Sequence, residues 1–379
     1  MTKIERMIAE SCPEGVEVVP LGGVCKKIFS GKNKNRNDSG QYCIYGSTGI
    51  IGYSDTFEYE KDAILVARVG ANCGYVHIAT GCYDVSDNTL IVELNDAVFD
   101  LKFAYYLLTN MNLNQYAKGG GQPLVTAGQL KALKIPFPPL EIQHEIVRVL
   151  DNFTELTAEL TAELTARKKQ YEYYKNNIMS FDGSDSDVRW LALGEIATDI
   201  YRGSGIKRDE VTEAGTPCVR YGEIYTTYGL WFDTCVSHTN TGTKTFSHGD
   251  ILFAITGESV DEISKSCAYL GQETCFAGGD IVVMKHEQNP KYLAYALSTS
   301  NAQEQKSKGR VKSKVVHSSI PALKEIVIPI PPLAEQERIA AILDRFNALT
   351  TDITTGLPAE ISARQKQYEY YRDKLLNFD

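Results

Sequence analysis

Apolar residues recur at every third or fourth position over two long stretches of the chain. Ile146, Val149, Phe153, Leu156, Leu160 and Leu164 form one stripe, and Ile339, Ile342, Phe346, Leu349, Ile353, Leu357 and Ile361 form the other. Spacing of this kind predicts two amphipathic helices, each apolar along a single face. Both open after the same proline run. Ile135-Pro136-Phe137-Pro138-Pro139-Leu140 returns as Ile328-Pro329-Ile330-Pro331-Pro332-Leu333, and ten of the nineteen residues ending at Phe153 and Phe346 are identical. Proline is accepted in a first helical turn but disfavours helix in the residue before it, so the run reads as an extended approach to a helix start. A helix of some forty residues is about 60 Å long. With one apolar stripe it needs a similar helix beside it, and the two copies are the natural mates, able to lie antiparallel because a whole globular unit joins them.

The copies differ in length. They are 193 positions apart at the proline run, but Lys169-Gln170-Tyr171-Glu172-Tyr173-Tyr174 recurs 197 positions on, as Lys366 to Tyr371, so one copy holds four extra residues. Two copies separated by dissimilar sequence exclude a solenoid, which stacks three or more short units. Gly356-Leu357-Pro358 lies inside the second helix, where proline removes a backbone hydrogen bond, and predicts a kink or break there. The segments between the helices are related as well. Leu21-Gly22, Ile28-Phe29 and Gly31 match Leu193-Gly194, Ile200-Tyr201 and Gly203; the strand-like Ile64 to Ala67 matches Ile251 to Ala254; Cys82-Tyr83 to Asp87 matches Cys275-Phe276 to Asp280. A further strand is expected at Thr89 to Val92 and Ile281 to Met284, then a short helix from Lys102 or Lys291. An amphipathic helix around Ile4, Met7 and Ile8 opens the chain, and Ser180 to Asp187 reads as a linker. The pattern is α+β: loop-rich α/β units at 1–138 and 183–331, and long helices at 139–182 and 332–379 that form an antiparallel coiled coil with approximate twofold symmetry.

The 379 residues, 43% of them apolar, suffice for two cores. No run is long and apolar enough for a membrane span or a signal peptide, which predicts a cytoplasmic protein. The nine cysteines include no CxxC pair and suit reduced thiols. Cys43 and Cys218, like Cys82 and Cys275, occupy matching places and are expected to be small buried apolar residues. Nucleotide-binding, zinc-protease and serine-hydrolase motifs are missing, so binding fits better than catalysis. Gly46-Ser47-Thr48-Gly49 reads as a turn between strands.

The net charge of −9 excludes a uniformly basic protein, yet the charge is uneven. Lys26, Lys27, Lys32, Lys34 and Arg36 fall in one stretch without an acid. Lys306, Lys308, Arg310, Lys312 and Lys314 alternate with small or apolar residues, which on an extended backbone puts five cations on one face, as a phosphate strand would require. Part of the acidity belongs to the first helix, through Glu141, Glu145, Asp151, Glu155, Glu159 and Glu163.

The order of globular unit, helix, globular unit, helix, with both proline motifs and both Lys-Gln-Tyr-Glu-Tyr-Tyr segments, resembles the specificity subunits of type I restriction-modification systems over the whole chain. The resemblance implies two target-recognition domains, each reading half of a split asymmetric DNA sequence and held by an antiparallel pair of conserved helices. It also implies two methyltransferase subunits docked on this chain, restriction subunits joining them, no catalysis by this chain, and S-adenosylmethionine on the methyltransferase partner rather than here. Two other readings stand beside it: the specificity subunit of a restriction class with fused methyltransferase and nuclease, and a structural adapter between proteins. Candidate contacts to double-stranded DNA are Lys32, Lys34, Arg36, Tyr45, Ser47, Arg68, Lys118 and Gln122 in the first unit. In the second they are Arg202, Lys207, Arg208, Arg220, Tyr221, Lys306, Lys308, Arg310, Lys312 and Lys314. Arg68 and Arg220 could equally serve a core ion pair, and Tyr171, Tyr173 and Tyr174 are expected to pack at the ends of the helix pair. The tandem Thr157-Ala158-Glu159-Leu160 and Thr161-Ala162-Glu163-Leu164 makes helix length a multiple of four residues, a candidate ruler for the gap between half-sites.

Overall fold

The computed structural model describes residues 2–118, 123–181, 187–308, 315–351 and 355–378. It divides into two compact units, one of Met1–Thr161 with Glu360–Asp379 and one of Ala162–Ala359. Each unit thus combines a globular part with a portion of both helical arms.

In the first unit, four strands order as Cys25–Ser30, Thr89–Leu94, Ala63–Ala67 and Val76–Ala79, and three more as Gly49–Ser54, Tyr42–Gly46 and Tyr83–Val85. The second unit repeats this frame. Its main sheet runs Ala197–Arg202, Ile281–His286, Ile251–Ala254, Ser266–Tyr269, and its other sheet pairs Thr216–Val219 with Cys275–Ala277. Even the register is shared: Ile28 and Ile64 both oppose Val92, as Ile200 and Ile251 both oppose Met284. The parallel pair Cys43↔Tyr83 corresponds to Cys218↔Phe276. Strands Val211–Thr212, Trp231–Phe232 and Thr245–Phe246 widen the second unit's sheets. Both central strands, Ala63–Ala67 and Ile251–Ala254, are buried along their whole length, hence their unbroken apolar sequence.

The first long helix, Leu140–Ile178, is continuous over 39 residues. The second arm is two helices, Leu333–Thr351 and Leu357–Leu376, with Pro358 in the first turn of the latter. The break falls where Gly356 and Pro358 place it, since proline is compatible with a first turn and not with an interior one. In the first unit Ile142, Ile146 and Leu150 are buried in the same core as Leu376. Phe153 stacks on Tyr371 with centroids 5.3 Å apart. The second unit contains the same pair with the helices exchanged: Tyr174 lies 5.9 Å from Phe346. Phe153 and Phe346 are equivalent in the repeat, as are Tyr174 and Tyr371, so within each unit the arms run antiparallel. Tyr171 is buried beside them, whereas Tyr173 and Tyr370 are exposed and pack less than the sequence implied.

The identical residues of the repeat prove to be locks between helix and globular part. Gln143, fully buried, accepts from Asp100 N at 2.8 Å and donates to the carbonyls of Val98 and Pro138. Gln336 accepts from Asn289 N at 3.0 Å and donates to Pro331 O and Gln288. Asp151 takes Lys102 and the Tyr106 hydroxyl; Asp344 takes Lys291 and the Tyr295 hydroxyl. A buried amide with three satisfied bonds cannot be truncated without orphaning its partners, so Gln336→Leu is expected to destabilise the protein by about 2–4 kcal/mol. Urea unfolding checks this, and a change below about 1 kcal/mol would contradict the lock.

Opening the chain, Lys3–Ser11 is a helix with a Thr2–Glu5 capping box. The turn at Ser47 joins two strands and has Gly49 at φ +93°. One expectation fails at the cysteines: Cys218 and Cys275 are buried, but Cys43 is only partly so and Cys82 is exposed. Cys82 follows Gly81 (φ +70°) in a turn outside the strand Tyr83–Val85, so the matching position carries no burial in the first unit.

Candidate nucleic-acid interface

In the first unit several candidates converge at one end of the main sheet. Gly31 leaves the strand Cys25–Ser30 so close to its neighbour that a Cβ there would lie 2.4 Å from Val85 O, and Lys32 follows it out, exposed, with its N donating to Val85 O. Lys32 Nζ is 3.7 Å from Glu58, an exposed pair of little energetic weight. Arg68 ends the strand Ala63–Ala67 and donates from Nη1 to Ser30 Oγ at 3.3 Å. Its backbone N donates to Asn88 O, and its carbonyl accepts from Val125 N. Lys118 pairs with Leu124, which also bridges Val69, so Ser30, Lys32, Arg68 and Lys118 share one corner. Lys34 and Arg36 are exposed on the following loop, and Ser47 is half-exposed at its turn. Tyr45 is half-buried. Its ring meets Tyr83 edge-on at 5.7 Å, and partial burial raises its hydroxyl pKa, so part of its surface serves packing. Gln122 lies outside the described residues.

The second unit assembles Arg202, Arg220 and Tyr221 around an open cleft of about 770 Å³. Arg202, at the end of its strand, donates to Gly279 O and to Asp280 Oδ1. Arg220 precedes the helix Tyr221–Thr226 and donates from Nε to Glu223 Oε1 at 3.1 Å; Glu223, buried, also accepts from Ser237 Oγ at 2.7 Å. Tyr221 is exposed, as are Lys207 and Arg208 on the loop that leaves the cleft. Sequence reasoning missed Glu223 and Asp280. The Arg220-x-x-Glu223 spacing, one helical turn, was the available signal for the first.

Lys306 corrects the row of alternating cations. Ser300–Ser307 is a helix, not extended chain, and Lys306 is 4% exposed within it. Its ammonium donates to Leu297 O at 2.7 Å and lies 3.4 Å from Ser266 Oγ. Burial first, and the nearby Lys175 second, lower its pKa to about 7. Lys175 itself donates to Ser298 O at 3.0 Å, so two lysines cap the carbonyl end of the helix Pro290–Leu297. A lysine so placed holds the fold and cannot reach DNA. Lys308, one residue beyond the helix, is exposed; Arg310, Lys312 and Lys314 lie outside the described residues.

Among the described residues no group of three or more side chains is arranged to hold a metal ion, and no helix is long and apolar enough to cross a membrane.

Two related units, each presenting cationic loops and each locked to a shared pair of helical arms, define a nucleic-acid-reading scaffold. The family model for the type I restriction modification DNA specificity domain matches this chain twice, at residues 13–167 and 191–363. The chain belongs to that family, and its role is DNA sequence recognition in a type I restriction-modification system. It is 32% identical to the EcoR124I/EcoR124II specificity subunit of Escherichia coli, over 99% of this chain and 98% of that one. It is 30% identical to a putative type I restriction enzyme specificity subunit of Haemophilus influenzae, over 99% and 100%. A solved structure described as showing complex assembly and conformational transition of the type I system has a TM-score of 0.68 at 17% identity, covering 96% of this chain and 98% of that one.

Proposed function

We propose that this chain is the non-catalytic reader of a bipartite, asymmetric DNA target, each globular unit contacting one half-site. Carrying this reading is the shared strand register of two units whose loops differ, both fixed to the helical arms by the same glutamine and aspartate locks. One frame used twice with different loops gives two unlike half-sites. Two methyltransferase subunits and the restriction subunits dock on it in the cytoplasm. S-adenosylmethionine is held by the methyltransferase and not by this chain.

Lysine and arginine side chains supply the sequence-independent part of binding. Replacing Lys308, Arg310 and Lys312 together by Ala is expected to weaken the affinity of the reconstituted complex at all sequences and to make the slope of log K against log salt shallower by up to about three. Filter binding of cognate and random duplexes over a range of salt concentrations reads this out. Lost cognate affinity with an unchanged slope would mean that these residues read bases; a flat salt response from the intact complex would favour a protein adapter.

A further inference from the structure

Resting on the reading above, we propose a division of labour in the second unit: Arg220, with Arg202 across the same cleft, reads a guanine of its half-site, while the exposed Lys207 and Arg208 hold phosphates.

Both cleft arginines already have carboxylate partners. Arg220 Nε lies on Glu223 and Arg202 Nη2 on Asp280. A guanidinium neutralised in this way exerts little long-range pull on a phosphate, but it keeps a fixed orientation and its remaining N–H donors. Arg220 commits Nε to the Glu223 side chain, and among the described residues its Nη1 and Nη2 have no other hydrogen-bond partner. Two parallel donors held in position are what the O6 and N7 acceptors of guanine require. Glu223 is itself anchored by Ser237, so the reader rests on a buried support. Lys207 and Arg208 are exposed on the adjacent loop, where charge acts without directional demand.

The cleft walls point to a ligand as well. Gly205 and Gly222 both line the cleft, and neither has the positive φ that would require glycine. Among the described residues a Cβ built on either meets no atom within 4 Å. Nothing among the described residues demands glycine at these two positions, whereas close approach of another molecule to the backbone would. In the first unit an arginine reaches the same corner by another route: Ser30, the equivalent of Arg202, holds Arg68 from a different strand. The corner is kept and its chemistry changed, as two unlike half-sites require.

Methylome sequencing of cells expressing the full chain with its methyltransferase partner tests this. The wild type must first yield a bipartite methylated motif; its absence would remove the functional reading, and this proposal with it. Given that motif, Arg220→Gln is expected to relax or shift one guanine position toward adenine, in one half-site only, with discrimination lost on the order of 10- to 100-fold. The other half-site and the salt slope of binding stay unchanged. Gly222→Leu, whose Cβ meets no atom among the described residues, is expected to abolish methylation of the cognate site without lowering the melting temperature. An intact motif in Arg220→Gln, or affinity lost equally at all sequences with a shallower salt slope, would overturn the proposal. Should Arg220→Gln give no methylation at all, Arg220→Gln/Glu223→Gln, which leaves no unpaired charge at this pair, takes its place, and the same two outcomes decide against the proposal.

Discussion

Inserting one further Thr-Ala-Glu-Leu after Leu164 is expected to leave both half-sites of the target unchanged and to widen the gap between them by one base pair. Four residues lengthen a helix by about 6 Å and turn it by about 40°. One base pair advances B-DNA by about 3.4 Å and turns it by about 34–36°. The rotations nearly coincide, and the rises coincide when roughly half of the added helix length projects along the duplex. The site of insertion is permissive. Leu140–Ile178 is one uninterrupted helix, and no residue from Glu155 to Lys169 is buried. Thr154, Thr157 and Thr161 return their hydroxyls to the carbonyls four residues earlier, at 3.0, 2.8 and 2.7 Å, so the repeat satisfies its own polar groups. The packed portions lie to either side, at Ile142 to Leu150 and at Tyr171 to Met179, and neither is altered. The second arm already holds the longer count, with 25 positions from Phe346 to Tyr371 against 21 from Phe153 to Tyr174. Methylation mapping of the insertion variant decides the matter: an unchanged spacer or an altered half-site would show that this helix does not set the distance.

Lys306→Met is expected to stabilise the protein near pH 6 and to lose that advantage as the pH rises. The folded chain holds the Lys306 ammonium at a pKa of about 7, against an ordinary value of 10.5. Between these values the unfolded chain binds a proton that the folded chain lacks, so stability from this group rises with pH across the window. Below pH 7 both states are charged and the full penalty applies, about 5 kcal/mol at 1.36 kcal/mol per pH unit. Methionine removes the charge at similar length but forfeits the bond to Leu297 O, a loss of about 1–3 kcal/mol. The balance is a gain of about 2–4 kcal/mol at pH 6 that shrinks as the pH rises and reverses between about pH 8 and pH 10. Urea unfolding of both proteins from pH 6 to 10 tests it, and a difference independent of pH would contradict it. The salt slope of DNA binding should be unchanged, because Lys306 does not face solvent.

The contrast between Lys306 and Lys308 shows where sequence reading stopped. Period-two alternation puts cations on one face only if the backbone is extended. Thr299 caps a helix at Ala302 N, and that helix turns Lys306 inward while leaving Lys308 exposed. Tyr45 is half-buried for a similar reason, since a tyrosine on a strand faces core or solvent according to register, which is fixed by its pairing with Tyr83–Val85. Arg68 and Arg220 could each be read as reader or ion-pair partner from sequence. In the fold Arg68 bonds to Ser30, 38 positions away, and Arg220 pairs with Glu223 one helical turn on, contacts that the sequence alone did not specify.

By itself the sequence determined the architecture: two related units, two helical arms, their starting points and the break before Pro358. It could do so because those features are written in local chemistry, in helical periodicity, proline geometry and internal repetition, each legible without knowing what lies nearby in space. Tertiary structure alone decided which cations are available to a ligand and why the repeated Gln and Asp recur, as locks onto Val98, Pro138, Tyr106 and their counterparts. Burial and pairing are properties of neighbours brought together from distant positions, and a single chain read in order does not contain them.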